Sequence, residues 1–150
     1  EESRNFLRRP AMGSMRRNEP CEKSDELARI LVDASVEVHR TLGPGFLEAV
    51  YEASLCHELS LRRVGFERQR VVLVHYKGVS VGEGRLDLVV GKLVVVELKA
   101  VPLLAPVHTA LLISYLKATG LSLRRPSLGL VLNFGGANMK AGIRRVVLTT

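Results

Sequence analysis

The sequence predicts one layered α/β or α+β domain, with a mixed central β-sheet flanked by helices in the order α-α-β-β-β-α-β-β. Three observations carry that prediction. Apolar residues recur at helical spacing in two stretches between Ser24 and Arg63. From Arg70 onward the pattern changes to short Val-rich runs bounded by glycine. One further helical stretch, Val107 to Thr119, separates three of those runs from the last two.

Each element has its own signal. Residues 1–20 contain Pro10, Gly13, Ser14, Asn18 and Pro20 and have no apolar period. They are expected to be a disordered extension or a cloning scar (Ala11-Met12-Gly13-Ser14-Met15), leaving residues 21–150 as the domain. Ser24-Asp25-Glu26-Leu27 reads as a helix start, with Ser24 as N-cap and acids in the first turn. Leu27, Ile30, Leu31, Ala34 and Val38 form its stripe, and Leu42-Gly43-Pro44-Gly45 ends it. The second helix is expected from Phe46 to Arg63, with Leu47, Val50, Tyr51, Leu55 and Leu59 on one stripe. Strands are expected at Arg70–Tyr76, Val79–Val90 and Leu93–Leu98, with turns at Lys77-Gly78 and Gly91-Lys92. The run Leu93-Val94-Val95-Val96 is apolar on both faces, which marks a central strand covered on both sides. Pro106 suits the first turn of the third helix, and Gly120 ends it. Leu128–Asn133 and Ile143–Leu148 complete the set, with Gly135-Gly136 between them.

Composition narrows the class. A chain of 150 residues, 47% apolar and 25% charged, suits one domain with a core and is too apolar for a wholly disordered chain. No uncharged run reaches the roughly 20 residues of a membrane helix. Arg4, Arg8, Arg9, Arg16 and Arg17 interrupt any signal-peptide core. Cys21 and Cys56 are single, which argues against a disulfide framework or a zinc knuckle. A soluble protein of the reducing cytoplasm is the expectation.

The charge is uneven. Lys and Arg number 22 against 15 Asp and Glu, a net of +7. Every acid lies at or before Glu97, whereas Lys99, Lys117, Arg124, Arg125, Lys140, Arg144 and Arg145 follow it. An acid-free basic stretch suits a polyanion such as nucleic acid. It also suits a surface made soluble by its charge.

The acids inside the strands are the chemical signal. Asp87 lies within Arg85-Leu86-Asp87-Leu88, and Glu97 and Lys99 close the most apolar strand. Alternation puts Glu97 and Lys99 on one face and Leu98 on the other. Buried charges are costly unless paired or bound to a metal. If Val90-Gly91-Lys92 is a three-residue hairpin loop, Val89 opposes Leu93 and Asp87 opposes Val95. Asp87 then lies diagonal to Glu97, roughly 7–8 Å away, and the two can converge on one hard cation. A two-residue loop would place them on opposite faces. Glu-x-Lys also occurs on strands as a surface ion pair of little consequence.

Asp87 followed by Glu97-Leu98-Lys99 on adjacent strands, within this element order, resembles the PD-(D/E)XK nuclease superfamily and its restriction-endonuclease-like core. Gly45-Phe46-Leu47-Glu48-Ala49-Val50-Tyr51 is similar to the motif that names the GxxExxY proteins, a bacterial and archaeal branch of it. The segments 37–45, Arg85-Leu86-Asp87, 96–100, Pro106-Val107-His108, 115–120 and Asn133-Phe134-Gly135 are similar too, so the resemblance spans about residues 25 to 148.

The resemblance implies a metal-dependent phosphodiesterase acting on nucleic acid, DNA before RNA, with Mg²⁺ or Mn²⁺. Asp87 and Glu97 would be metal ligands, with the Leu98 carbonyl as a third. Lys99 would orient or activate water and meet the phosphorane charge. Glu48 would hold a metal-bound water or a second cation. Tyr51, one turn on, either shares the cleft or packs in the core. Arg85, His108 and Tyr115 are secondary candidates. Lys117, Arg124, Arg125, Lys140, Arg144 and Arg145 are the candidate phosphate contacts. Relatives carry an acid and a Gln in the helix after His108, with a polar residue before the Tyr, where this chain has Thr109, Leu111 and Ser114. Leu111 opens the alternative of a weakly active or inactive nuclease-fold module that binds nucleic acid or a protein partner. A homodimer through a sheet edge is a further reading.

Overall fold

A computed structural model describes residues 21–119 and 127–148. The expected N-terminal extension, Gly120, Arg124 and Arg125 lie outside those residues. The elements are α1 (Glu22–Leu42), α2 (Glu48–Leu61), β1 (Phe66–Tyr76), β2 (Val79–Val90), β3 (Val94–Lys99), α3 (Pro106–Ala118), β4 (Ser127–Asn133), a 3₁₀ turn (Lys140–Gly142) and β5 (Ile143–Leu148). The sequence order of helices and strands is the one expected.

The five strands lie side by side in chain order. β1–β2, β2–β3 and β4–β5 are antiparallel, whereas β3–β4 is parallel because α3 carries the chain back across one face. β3 is therefore the middle strand, and Val94 to Val96 are fully buried. One face carries Leu88, Val96, Leu98 and Leu130 against α1 and α2. The other carries Val72, Leu86, Val95 and Val131 against Leu112 and Leu116 of α3. Val-rich β3 needs both layers, since a strand apolar on both faces is stable only when both are covered.

Four expectations change. Helix α1 starts before Ser24: Cys21 takes the N-cap position, and the Ser24 hydroxyl lies 3.2 Å from Cys21 Sγ. Leu47 and Val50 are exposed and do not belong to the buried stripe of α2, because Leu47 precedes the helix. Strand β1 begins at Phe66, because Phe66, Glu67 and Arg68 pair with Val90, Val89 and Leu88. The β2–β3 register differs by two residues from the expected one: Val89 opposes Val95 and Val90 opposes Val94. The loop is Gly91-Lys92-Leu93, with Gly91 and Lys92 both left-handed (φ 58° and 59°). Gly91 donates to the Gly65 carbonyl at 2.9 Å and lies under Leu27, where a Cβ would sit 2.6 Å from a methyl carbon. Tertiary contact thus fixes the loop and hence the register.

Candidate functional site

The site forms where the β1–β2 hairpin parts from β3. The β2–β3 ladder ends at Leu88 opposite Val96. Beyond it, β2 continues with β1 alone. Leu88 faces α1 and α2, yet Leu86, two residues away, faces α3. Alternation would put them on one face. The hairpin therefore turns over between these positions. On β1 the same step carries Gln69, which is left-handed (φ 51°) between the pairs Arg68–Leu88 and Arg70–Leu86.

Asp87 sits at this step, in line with Glu97 on the neighbouring strand. The register correction makes the two acids direct neighbours and not diagonal ones. The Asp87 amide donates to Glu97 Oε1 at 3.3 Å, and the Leu98 amide donates to Asp87 Oδ2 at 2.8 Å. The Asp87 carboxylate thus takes the place of the ladder acceptor that β2 no longer provides. Glu97 is 4% exposed. Burial, with the Asp87 charge as the next cause, pushes its carboxyl up to about 8. Burial also raises Asp87, against the opposing Leu98 hydrogen bond.

Helix α2 supplies the opposite wall. Gly43 and Gly45 are left-handed (φ 70° and 116°), which a Gly-Pro-Gly turn permits. Tyr51 holds the turn: its hydroxyl donates to the Gly43 carbonyl at 2.6 Å and accepts from the Phe46 amide at 3.2 Å. Its buried ring stacks on Phe134 at 4.9 Å. Of its two readings, core packing describes its surroundings. The spacing of Glu48 and Tyr51 then has a physical meaning. The Tyr fixes the chain entering the helix, and Glu48 occupies the first turn. Glu48, Glu52, Gln69, Asp87 and Leu98 line a cleft of about 350 Å³. Desolvation raises the Glu48 carboxyl, with Lys99 the leading opposing charge.

Lys99 ends β3, its carbonyl accepting from the Phe134 amide at 2.8 Å. Its charge acts on Glu48, Asp87 and Glu97 alike. It forms no salt bridge among the described residues. Asn133, 2% exposed, clamps the segment after it: its side chain bonds both the amide and the carbonyl of Val101, at 3.0 and 2.9 Å. His108 lies in the first turn of α3, and its Nδ1 accepts from the Ala105 amide at 2.9 Å. That bond puts the neutral ring's proton on Nε2.

Other predicted residues lie elsewhere. Arg85 is exposed on β2. The Tyr115 ring lies on Gly84, where a Cβ would fall 2.4 Å from Cε1. Lys140 and Arg145 line a second groove, between α1 and β4–β5, that shares no residue with the acidic cleft. Arg145 is tied to Asp25, and Arg144 donates to the Ala141 and Ile143 carbonyls. Lys117 is exposed on α3, and Leu111 is half-buried and outside the cleft lining. The sequence reading missed Glu52 and Gln69. A polar side chain one turn after Glu48 on a buried stripe was the available signal for Glu52, and Gln69 had none.

The donor set fits a hard divalent cation. Mg²⁺ is held by one or two carboxylates and keeps several waters. A buried carboxylate, Glu97, beside a half-buried one, Asp87, neither neutralised by a contacting cation among the described residues, matches that mode. A dedicated cage does not, since no group of three or more His, Cys, Asp or Glu is arranged for a metal among the described residues.

No curated protein and no solved structure matches the chain. A family model for the PD-(D/E)XK nuclease superfamily matches residues 25–146, which include both strand acids, Lys99 and Glu48. With most of its length matched, and with these residues gathered at the fork of the sheet, the chain belongs to the PD-(D/E)XK nuclease superfamily.

Proposed function

We propose that the protein is a metal-dependent phosphodiesterase that cuts DNA, of the GxxExxY branch of its superfamily. The carrying observation is the adjacency of Asp87 and Glu97 at the fork, with Lys99 at the end of the same strand. Nucleases of this superfamily generally use divalent metals. Asp87, Glu97 and the Leu98 carbonyl would hold Mg²⁺ or Mn²⁺. The cation would supply positive charge that acidifies water and offsets charge on the scissile phosphate.

The chain's own groups do the rest. Lys99 orients the attacking water and stabilises the negative charge that develops on phosphate oxygens. Glu48, on the far wall, would hold a further water of the site or a second cation. His108 offers its Nε2 proton to a phosphate oxygen. The basic, acid-free stretch after Glu97 supports nucleic acid as the substrate class, and phosphate contacts of this kind position a substrate without reading its sequence. No described helix is long and apolar enough to cross a membrane. The exposed Leu73, Tyr76, Val79 and Val81 beside the open edge of β1 support a homodimer.

Leu111 favours a second reading, a nuclease-fold module that binds without cutting. Cleavage of single-stranded, duplex and branched DNA with Mg²⁺ or Mn²⁺, against EDTA, separates the two. Metal-dependent cutting of any of them supports the enzyme. Binding with no cutting supports the module.

A further inference from the structure

Gln69 combines three features that ordinary strand residues lack. It is a non-glycine residue in the left-handed region, φ 51°, in the middle of a strand. It faces the step at which β2 turns over. Its one amide nitrogen lies between two carboxylates, 2.6 Å from Glu52 Oε1 and 3.5 Å from Asp87 Oδ1. Strained backbone of this kind persists only where the surroundings over-determine it, and it gathers at functional sites.

The surroundings here are specific. Glu52 is 9% exposed, and its other oxygen accepts from Arg68 Nη2 at 3.0 Å. Glu52 is therefore fixed on both oxygens and acts as an anchor for the Gln69 amide. An NH₂ group has two hydrogens. One makes the short bond to Glu52, which leaves the other for Asp87. Asp87 Oδ2 is already committed to the Leu98 amide. Oδ1 is the remaining oxygen, and the long contact from Gln69 restrains it while leaving lone-pair capacity. Without the amide, two carboxylates would line the same cleft with no donor between them.

We propose that Gln69 is the positioning residue of the metal centre: anchored by Glu52 and Arg68, its amide aims Asp87 Oδ1 at the cation. The inference rests on the metal-centre reading above. It adds the chain Arg68–Glu52–Gln69–Asp87, which ties helix α2 to the strand acid. It also explains why β1 bears a strained residue at this position. The strain holds the amide where a regular strand residue would point away.

The test compares two variants of the full chain with the wild type, by Mn²⁺ calorimetry and by thermal melting without metal. Gln69→Gly relieves the left-handed strain and removes the amide. It is expected to melt at or above the wild-type temperature while losing about 10–100-fold in Mn²⁺ affinity, the usual effect of removing an outer-shell partner. Gln69→Leu keeps the bulk and the strain, and is expected to lose a similar factor in affinity with a lower melting temperature. A residue with only a structural role would not separate the two readouts in the glycine variant. Wild-type affinity in both variants would overturn the inference. So would a glycine variant that loses melting temperature together with affinity. A wild type that binds no Mn²⁺, or an Asp87→Ala variant that binds it normally, would instead remove the metal-centre reading beneath.

Discussion

The two halves of β2 have the same partner on one side and opposite surroundings otherwise. Leu88, Val89 and Val90 pair with β1 and β3 and lie between the helical layers, fully or almost fully buried. Val79, Ser80, Gly82 and Glu83 pair with β1 alone, Val81 stands at an irregularity between them, and all five are exposed. The first half is scaffold and the second is an arm. Asp87 stands at the joint, where the strand gives up one neighbour and reverses its face. A polar side chain placed there can satisfy the abandoned β3 amide and still reach an open cleft. The same carboxylate three residues further into the scaffold would be buried without a partner. On the arm it would be solvated and would organise nothing. The difference teaches why a site collects at a fork: only there are rigidity and access available together.

If the joint is the chemical centre, the largest effects belong to it. Lys99→Ala is expected to slow single-turnover cleavage by about 10²–10³, the typical loss of one electrostatic group. Mn²⁺ binding should stay, since a protonated lysine offers the metal no lone pair. Parallel kinetics and calorimetry check both halves of that statement.

The scaffold should respond next. Leu88→Ala removes a fully buried side chain between β3 and the helices, and is expected to cost about 2–5 kcal/mol in urea unfolding. Val81→Ala on the arm, an exposed position, should change stability by less than about 0.5 kcal/mol. Equal losses at the two positions would erase the distinction between scaffold and arm.

Tyr51→Phe is a subtler probe. It keeps the stacked ring and removes the hydroxyl that serves Gly43 and Phe46. A loss of about 0.5–1.5 kcal/mol is expected, the net worth of an ordinary hydrogen bond whose partners, Gly43 half-buried and Phe46 exposed, can turn to water. Because the turn sets the start of α2, cleavage should fall with it through Glu48.

Much of this arrangement was legible in the sequence, and the rest depended on distance. The Val-rich β3, the α1 stripe and the Glu97-x-Lys99 pair are local patterns, and each falls where periodicity places it, whereas two members of the α2 stripe, Leu47 and Val50, do not. The β2–β3 register was not legible, because it turns on Lys92 adopting a left-handed conformation and on Gly91 meeting Leu27 of α1. Two residues of error moved Asp87 from diagonal to opposite. Glu52, Gln69 and Asp87 meet from three elements, across 17 and 18 residues of sequence. No local spacing encodes that meeting. Ser24 was misread as a cap for a different reason: it is buried one turn inside α1, and the residue at the N-cap, Cys21, makes no side-chain capping bond.

The last expected effect is one of pH. Asp87 and Glu97 have raised carboxyls in the folded chain, Glu97 from an ordinary 4.5 to about 8. Between those values the folded state holds a proton that the unfolded chain has released. The Glu97 contribution to the stability of the metal-free protein is therefore full below about 4.5 and is lost as pH rises through about 8. Saturating Mn²⁺ should flatten that decline, because the cation replaces the proton. Melting temperatures from pH 4 to pH 9, with and without Mn²⁺, read it directly.

The central claim is that the two opposed strand acids form one cation site at the joint. Calorimetric titration of Mn²⁺ into the wild type, Asp87→Ala and Glu97→Ala tests it most directly. The account predicts a site in the wild type that is lost in either variant, because a single carboxylate with a carbonyl holds a hard cation too weakly. Wild-type Mn²⁺ binding in either variant would contradict it.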